Sequence, residues 1–137
     1  KNNAMSKEII ITADAPAPIG PYNQAIKAGN LLFISGQIAL KPGTADLVLE
    51  SIAAETEQVM NNLQAILKAA SAGFDKVVKT TIFLTDMNLF AEVNEIYGRY
   101  FAVNNSATEP VYPARETVAV RGLPKNVHVE ISMIAVV

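Results

Sequence analysis

The chain has 137 residues, of which half are hydrophobic and only 18% are charged. This length suits one domain, and the charged fraction lies below the roughly 25% that is typical of soluble domains. No apolar run approaches the roughly 18 residues of a membrane-spanning helix, so we expect another subunit to cover the apolar surplus. Lys and Arg number 11 against 13 Asp and Glu, with no basic stripe, which gives little support to nucleic-acid binding.

The absence of cysteine excludes disulfides, thiolate nucleophiles and zinc-thiolate sites, and it favours a cytoplasmic location. Met5-Ser6-Lys7 is typical of a native start, and no apolar stretch near it suits a signal peptide. We therefore interpret residues 1–5 as a cloning remnant. A single domain is expected over residues 6–137.

The first part of the chain predicts a loop and then a hairpin. Residues 15–21 are rich in Pro and Gly, which is typical of a loop. Two β-prone stretches follow, residues 24–28 and 31–35. Between them, Gly29-Asn30 is suited to a two-residue hairpin turn.

The middle of the chain predicts two helices with a strand between them. Apolar residues recur at helical spacing between residues 50 and 73, and Gly73 is expected to end that helix. Residues 77–84 are β-branched and mostly apolar, which predicts a central strand covered on both faces. Helical spacing returns over residues 90–101, with Asn88 as the expected N-cap.

The last part of the chain predicts a loop over residues 104–112 and two strands, over residues 115–120 and 127–136. The order β-β-α-β-α-β-β predicts an α+β domain in which a mixed sheet carries both helices on one face. The other face of the sheet has no partner within the chain. We expect a neighbouring subunit to cover it.

The last predicted strand has two chemically different faces. Apolar residues alternate there with His128, Glu130 and Ser132, so the apolar set should meet the helices and the polar set should face the neighbouring subunit. His128 is the only histidine and would need carboxylate partners to hold zinc. We interpret it as an ordinary strand residue.

Two ionisable residues in β-prone surroundings, Arg115 and Glu130, are the candidates for chemistry. One interpretation is that they are solvated or form a structural ion pair. In the other, the planar guanidinium of Arg115 binds a carboxylate while Glu130 directs water at an electrophilic carbon. The residues alone leave both open. The second interpretation requires the two side chains to converge on one hollow that another copy of the chain helps to seal, and side chains that point to opposite sides of the sheet would contradict it.

Five segments resemble blocks of one known family, in the same order along nearly the whole chain. Residues 112–136 closely resemble the C-terminal signature of the Rid proteins, the YjgF-like reactive intermediate deaminases. Residues 19–22, 32–37, 78–86 and 90–94 resemble the other blocks of that family. Five segments that match one family in the same order do not readily arise by chance.

The resemblance implies a chorismate-mutase-like subunit, a homotrimer with pockets at its subunit interfaces, and no metal or organic cofactor. The implied reaction is hydrolytic deamination of 2-imino or enamine acids, such as 2-iminobutanoate and 2-iminopropanoate, to 2-keto acids and ammonia. Arg115 would bind the substrate carboxylate and Glu130 would orient the water. The implied pocket residues are Tyr22, Ser35, Gly36, Asn94 and Thr117.

Two departures from the family pattern affect the expected pocket. Thr117 stands where members often carry cysteine, and residues 104–111 look longer than the corresponding loop. Two other functions stay open, a protein that binds keto acids without turnover and an endoribonuclease. A second carboxylate beside the ligand argues against a pure binder, and an isoelectric point near 5.4 with 7% aromatic residues argues against RNA.

Overall fold

The computed structural model of the chain describes residues 6–102 and 110–137. Its strands are β1 (Lys7–Ile10), β2 (Ala25–Ala28), β3 (Leu31–Gln37), β4 (Val77–Leu84), β5 (Ala114–Ala119) and β6 (Val129–Val136), and its α-helices are α1 (Ile52–Ala69) and α2 (Phe90–Ala102). The strands form one sheet in the order β1-β2-β3-β6-β4-β5. Among the strands of these described residues, only β4 and β5 pair in parallel, which confirms the predicted mixed α+β sheet.

Strand β1 is absent from the sequence-based prediction. It pairs antiparallel with β2, with Lys7 opposite Ala28 and Ile10 opposite Ala25, and it forms one edge of the sheet. Four residues are too few to show a strand's alternation of polar and apolar positions. The open edge of β2, rather than local sequence, therefore determines this strand.

The predicted hairpin between β2 and β3 is confirmed. The two strands are antiparallel, with Ala28 opposite Leu31. Gly29 in the turn has a φ of 62°. Glycine adopts this left-handed conformation without the steric cost that a Cβ would bring.

Helix α1 begins as the pattern predicts but ends earlier. The Ser51 side chain caps its start by accepting a hydrogen bond from a backbone N–H. Its end was expected at Gly73, which is wrong, because the helix stops at Ala69. There Ser71 has a φ of 59°, and the next N–H, of Ala72, donates to the Leu67 carbonyl at 2.9 Å. The N–H of Ser71 likewise donates to the Lys68 carbonyl at 2.9 Å. These two bonds satisfy carbonyls of the last turn without the glycine.

Helix α2 is entered through a 3₁₀ turn over Met87–Leu89. The Asp86 carboxylate accepts from the backbone N–H of Asn88 at 2.9 Å. The prediction of Asn88 as the cap is therefore wrong by two positions. Because the 3₁₀ turn comes before α2, the capping residue is Asp86 at the start of that turn, and not a residue next to Phe90.

Both helices pack on one face of the sheet, and the hydrophobic core lies between the helices and that face. In β6 the alternating residues Val129, Ile131 and Met133 are buried on that face, as predicted. In a single chain β4 is buried on the helix side only, since its other face is part of an open surface. That surface, here called the open face, carries exposed apolar side chains such as Ile9, Phe33, Val118 and Val136. No described helix is both long and apolar enough to cross a membrane.

Candidate functional site

Arg115 and Glu130 lie on opposite faces of the sheet within one chain. Arg115 in β5 is the register partner of Thr80 in β4, and Thr80 is fully buried on the helix side. Glu130 in β6 is the register partner of Phe83 on the open face. Neighbours across a sheet share a face. The predicted convergence of the two side chains is therefore wrong for a single chain, and so is an ion pair between them.

Glu130 lies in a cavity of about 300 Å³ with three other predicted site residues, Tyr22, Ser35 and Gly36. Ile19, Ile38 and Pro124 complete its lining. The carboxylate is partly buried, and this burial raises the pKa of Glu130. Desolvation disfavours the charged form, so the group takes up a proton more readily than an exposed glutamate.

A bulge in β3 allows Glu130 to lie where it does. Between two paired positions, Ser35 and Gly36 on β3 stand opposite the single residue Ser132 on β6. A Cβ atom at Gly36 would lie 2.8 Å from the Glu130 carboxyl carbon, closer than such atoms approach. The missing side chain is what leaves room for the carboxylate.

Hydrogen bonds to backbone groups hold the loops around this cavity. The Ser35 hydroxyl donates to the Asn23 carbonyl at 2.6 Å, and the hydroxyl of Tyr22 accepts from the Ile19 N–H at 3.2 Å. The role of Gln24 has no signal in the sequence pattern. Its buried amide accepts from one backbone N–H and donates to three carbonyls of residues 12–16, and so fastens the Pro-rich loop.

Arg115 lies in a second cavity, of about 320 Å³, on the helix side. Asn94, another predicted site residue, lines this cavity together with Tyr97, Gly98, Tyr112 and Pro113. Neither tyrosine was predicted as a site residue. Tyr97 fits the apolar spacing of α2, so the sequence pattern indicated only a core position for it. All the predicted site residues except Thr117 thus form two groups, here called the Glu130 half-site and the Arg115 half-site.

Thr117 shares the helix-side face with Arg115 but lines neither of the two cavities. Its hydroxyl is buried, and it has no hydrogen-bond partner in the part of the chain that the structure describes. Buried hydroxyls normally have a partner. The other departure from the family pattern, the length of residues 104–111, falls mostly outside the described residues.

His128 lies just before β6 and is part of neither half-site. Its ring Nδ1 is 2.8 Å from the carboxylate of Glu55 in α1, a residue that is fully buried. The same carboxylate accepts from the backbone N–H of His128 at 2.7 Å and of Val129 at 2.9 Å. Glu55 and His128 therefore anchor the start of β6 to α1.

Nearly the whole chain matches a known protein family. The model of the endoribonuclease L-PSP family matches residues 12–137. The chain belongs to this family, which includes the YjgF and Rid proteins. The resemblance found in the five segments is thereby confirmed.

Relatives in this family carry differing names. A RutC family protein of Synechocystis is 52% identical over 133 residues, which cover 96% of this chain and 98% of the relative. A human protein named 2-iminobutanoate/2-iminopropanoate deaminase is 42% identical over 134 residues, which cover 98% of this chain and 93% of the relative. The E. coli YjgF gene product is 42% identical in sequence to this chain, and its crystal structure superposes with a TM-score of 0.87. The match covers 94% of this chain and 98% of the YjgF chain. The fold of this chain is therefore the family's fold.

Proposed function

We propose that this Rid-family protein hydrolyses 2-imino acids and their enamine tautomers to 2-keto acids and ammonia. The observation that carries the proposal is the Glu130 carboxylate, held over Gly36 in a cavity that Tyr22 and Ser35 help to line. A carboxylate with a pKa raised by burial is suited to accept and return protons. The name of the human relative supports the same reaction.

The reaction needs positioning more than a strong nucleophile, because a 2-imino acid already hydrolyses in water. Glu130 takes a proton from water as its oxygen bonds to C2 of the imine. The proton is delivered to the nitrogen, the C–N bond of the resulting carbinolamine breaks, and ammonia leaves. As the C2 carbonyl forms, Glu130 transfers the hydroxyl proton of the carbinolamine to the leaving nitrogen, which supplies the third hydrogen of ammonia. No step of this scheme requires a metal or an organic cofactor. We further propose that the protein acts in the cytoplasm.

A second copy of the chain would complete the site. Glu130 and Arg115 face opposite surfaces, so the Arg115 half-site of one copy must meet the Glu130 half-site of the next. A contact between two different surfaces is head-to-tail, and such contacts form a closed ring when the rotation between successive copies closes. A homotrimer with three interfacial pockets satisfies this condition. The exposed apolar side chains of the open face support burial against a neighbour.

The test is a competition for imine. An amino-acid oxidase generates 2-iminopropanoate or 2-iminobutanoate in the presence of semicarbazide, and the semicarbazone that forms is measured. We expect the wild-type protein to suppress semicarbazone formation and Arg115→Ala to abolish that effect while leaving the oligomer intact by light scattering. Arg99→Ala, which removes an exposed arginine paired with Glu95, serves as the matched control. Full activity in Arg115→Ala would contradict the proposal.

The family's description favours a second candidate function, RNA cleavage. Against it stand the net charge of −2 and the small number of aromatic residues for base stacking. An RNA-cleavage assay on wild type and Arg115→Ala separates the two functions. Cleavage that Arg115→Ala abolishes, without imine hydrolysis by the wild type, would favour the nuclease.

A further inference from the structure

The guanidinium of Arg115 is held between two aromatic rings of α2. Its Cζ atom lies 5.1 Å from the centroid of the Tyr97 ring and 5.6 Å from that of Phe90. Both distances are within the range of cation–π attraction. Across residues 6–102 and 110–137 no carboxylate forms an ion pair with Arg115. Among the described residues, the guanidinium is therefore positioned by these two rings and by a hydrogen bond with the Tyr97 side chain.

Tyr97 is the more firmly held of the two rings. It is only 4% exposed, and its hydroxyl donates to the Thr80 hydroxyl at 2.9 Å. Its ring also packs at 4.8 Å from that of Phe101. Thr80 is the register partner of Arg115 in the sheet, so Tyr97 is fastened to the strand position next to the arginine that it supports.

The hydroxyl of Tyr97 stays protonated, which keeps the hydrogen bond to Thr80 in place. Burial raises the pKa of Tyr97, although the hydrogen bond to Thr80, the positive charge of Arg115 and the hydrogen bond with Arg115 act in the opposite direction. Phe90, by contrast, is 38% exposed and has no polar group that could fix its ring. The ring of Tyr97 is thus the fixed side of the arginine's environment.

We propose that Tyr97 is a positioning residue, which holds the Arg115 guanidinium in the direction that receives the substrate carboxylate. This inference rests on the proposed function of Arg115. An arginine side chain at a sheet edge has many rotamers, and fixing it in advance removes much of the entropy cost of binding a carboxylate with two hydrogen bonds. Tyr97 would act through Arg115 without touching the substrate.

The kinetic consequence is specific. The substrate carboxylate does not react, so its contact with Arg115 is present both in the bound substrate and in the transition state. Weakening such a contact raises KM and leaves kcat nearly unchanged. A loss of fold or of the Glu130 half-site would instead lower kcat or the amount of active protein.

The experiment measures KM and kcat for 2-iminobutanoate, together with the Kd of the product 2-oxobutanoate by calorimetry. For Tyr97→Leu, which removes the ring, we expect KM and Kd to rise roughly tenfold with kcat changed less than about threefold. Tyr97→Phe keeps the ring and should stay within about threefold of wild type in both constants. If the leucine variant does not fold, Tyr97→Met replaces the ring by a side chain of similar length.

Tyr100→Leu is the matched control, because it removes a tyrosine from the same helix. The Tyr100 hydroxyl bonds to the Asn61 side chain and the Glu57 carbonyl of α1, so its loss should lower the melting temperature and leave KM and Kd unchanged. An unchanged Kd in Tyr97→Leu, with wild type active, would overturn this inference alone. A wild-type protein that neither binds 2-oxobutanoate nor hydrolyses the imine would overturn the proposed function instead.

Discussion

The Glu130 half-site is shaped by backbone, whereas the Arg115 half-site is shaped by aromatic side chains. A bulge and a glycine make room for the Glu130 carboxylate, and backbone hydrogen bonds hold the neighbouring loops. Around Arg115, the rings of Phe90 and Tyr97 from α2 supply the contacts. The first half-site should therefore be sensitive to added volume, and the second to lost rings.

The largest effect is expected for Glu130→Gln. The amide keeps the shape of the side chain but cannot take a proton from water, so kcat should fall by a factor of roughly 10² to 10⁴. Because carboxylate binding belongs to the other half-site, the Kd for 2-oxobutanoate should change only a few-fold. Single-turnover hydrolysis and calorimetry measure the two quantities. Unchanged turnover would remove Glu130 from the mechanism.

Gly36→Ala tests the backbone-shaped half-site next. The added Cβ would collide with the Glu130 carboxylate, and a displacement of about 1 Å at a catalytic group can cost about 100-fold in rate. Gly122→Ala is the control, since no heavy atom of the described residues lies within 4 Å of a Cβ placed there. Equal rates for the two variants would show that Gly36 has no steric role.

The dependence of kcat on pH should report the environment of Glu130. Its folded-state pKa is raised by desolvation, and only the ionised form can act as the base. The rate should therefore fall as pH decreases through this raised pKa, at a higher pH than for an ordinary glutamate. The acidic limb should vanish in Glu130→Gln. A limb that persists in this variant would belong to another group.

The raised pKa of Glu130 also predicts a change in stability. The folded state binds this proton more tightly than the unfolded state does, so the contribution to stability is full below the unfolded pKa and is lost as pH rises through the folded pKa. Glu130→Gln should lessen this loss. Denaturant unfolding of both proteins across the acidic range measures the difference.

The smallest effect is expected for Thr117→Val. The substitution replaces a buried hydroxyl that lacks a partner among the described residues by a methyl group of similar size, so the free energy of unfolding should stay equal or rise by up to about 1 kcal/mol. Chemical denaturation measures this change. If KM rises while stability does not fall, the Thr117 hydroxyl belongs to the Arg115 half-site after all.

Local patterns were sufficient wherever neighbouring residues decide the structure. Gly29 indicated the turn between β2 and β3, and the alternation in residues 129–133 indicated which side of β6 meets the helices. The errors had two different causes. Strand β1 forms because the distant strand β2 offers it an edge. Ser71 ends α1 through a local left-handed conformation that its side chain does not predict.

The sequence by itself determined the types of element, the identity of the family and the candidate residues Arg115 and Glu130. The tertiary structure alone decided that these two side chains leave the sheet on opposite faces. Side chains alternate along a strand with a period of two, so a shift of one residue in the pairing of β5 with β4 would move Arg115 to the other face. That register is a contact between segments more than 30 residues apart, and no local pattern contains it.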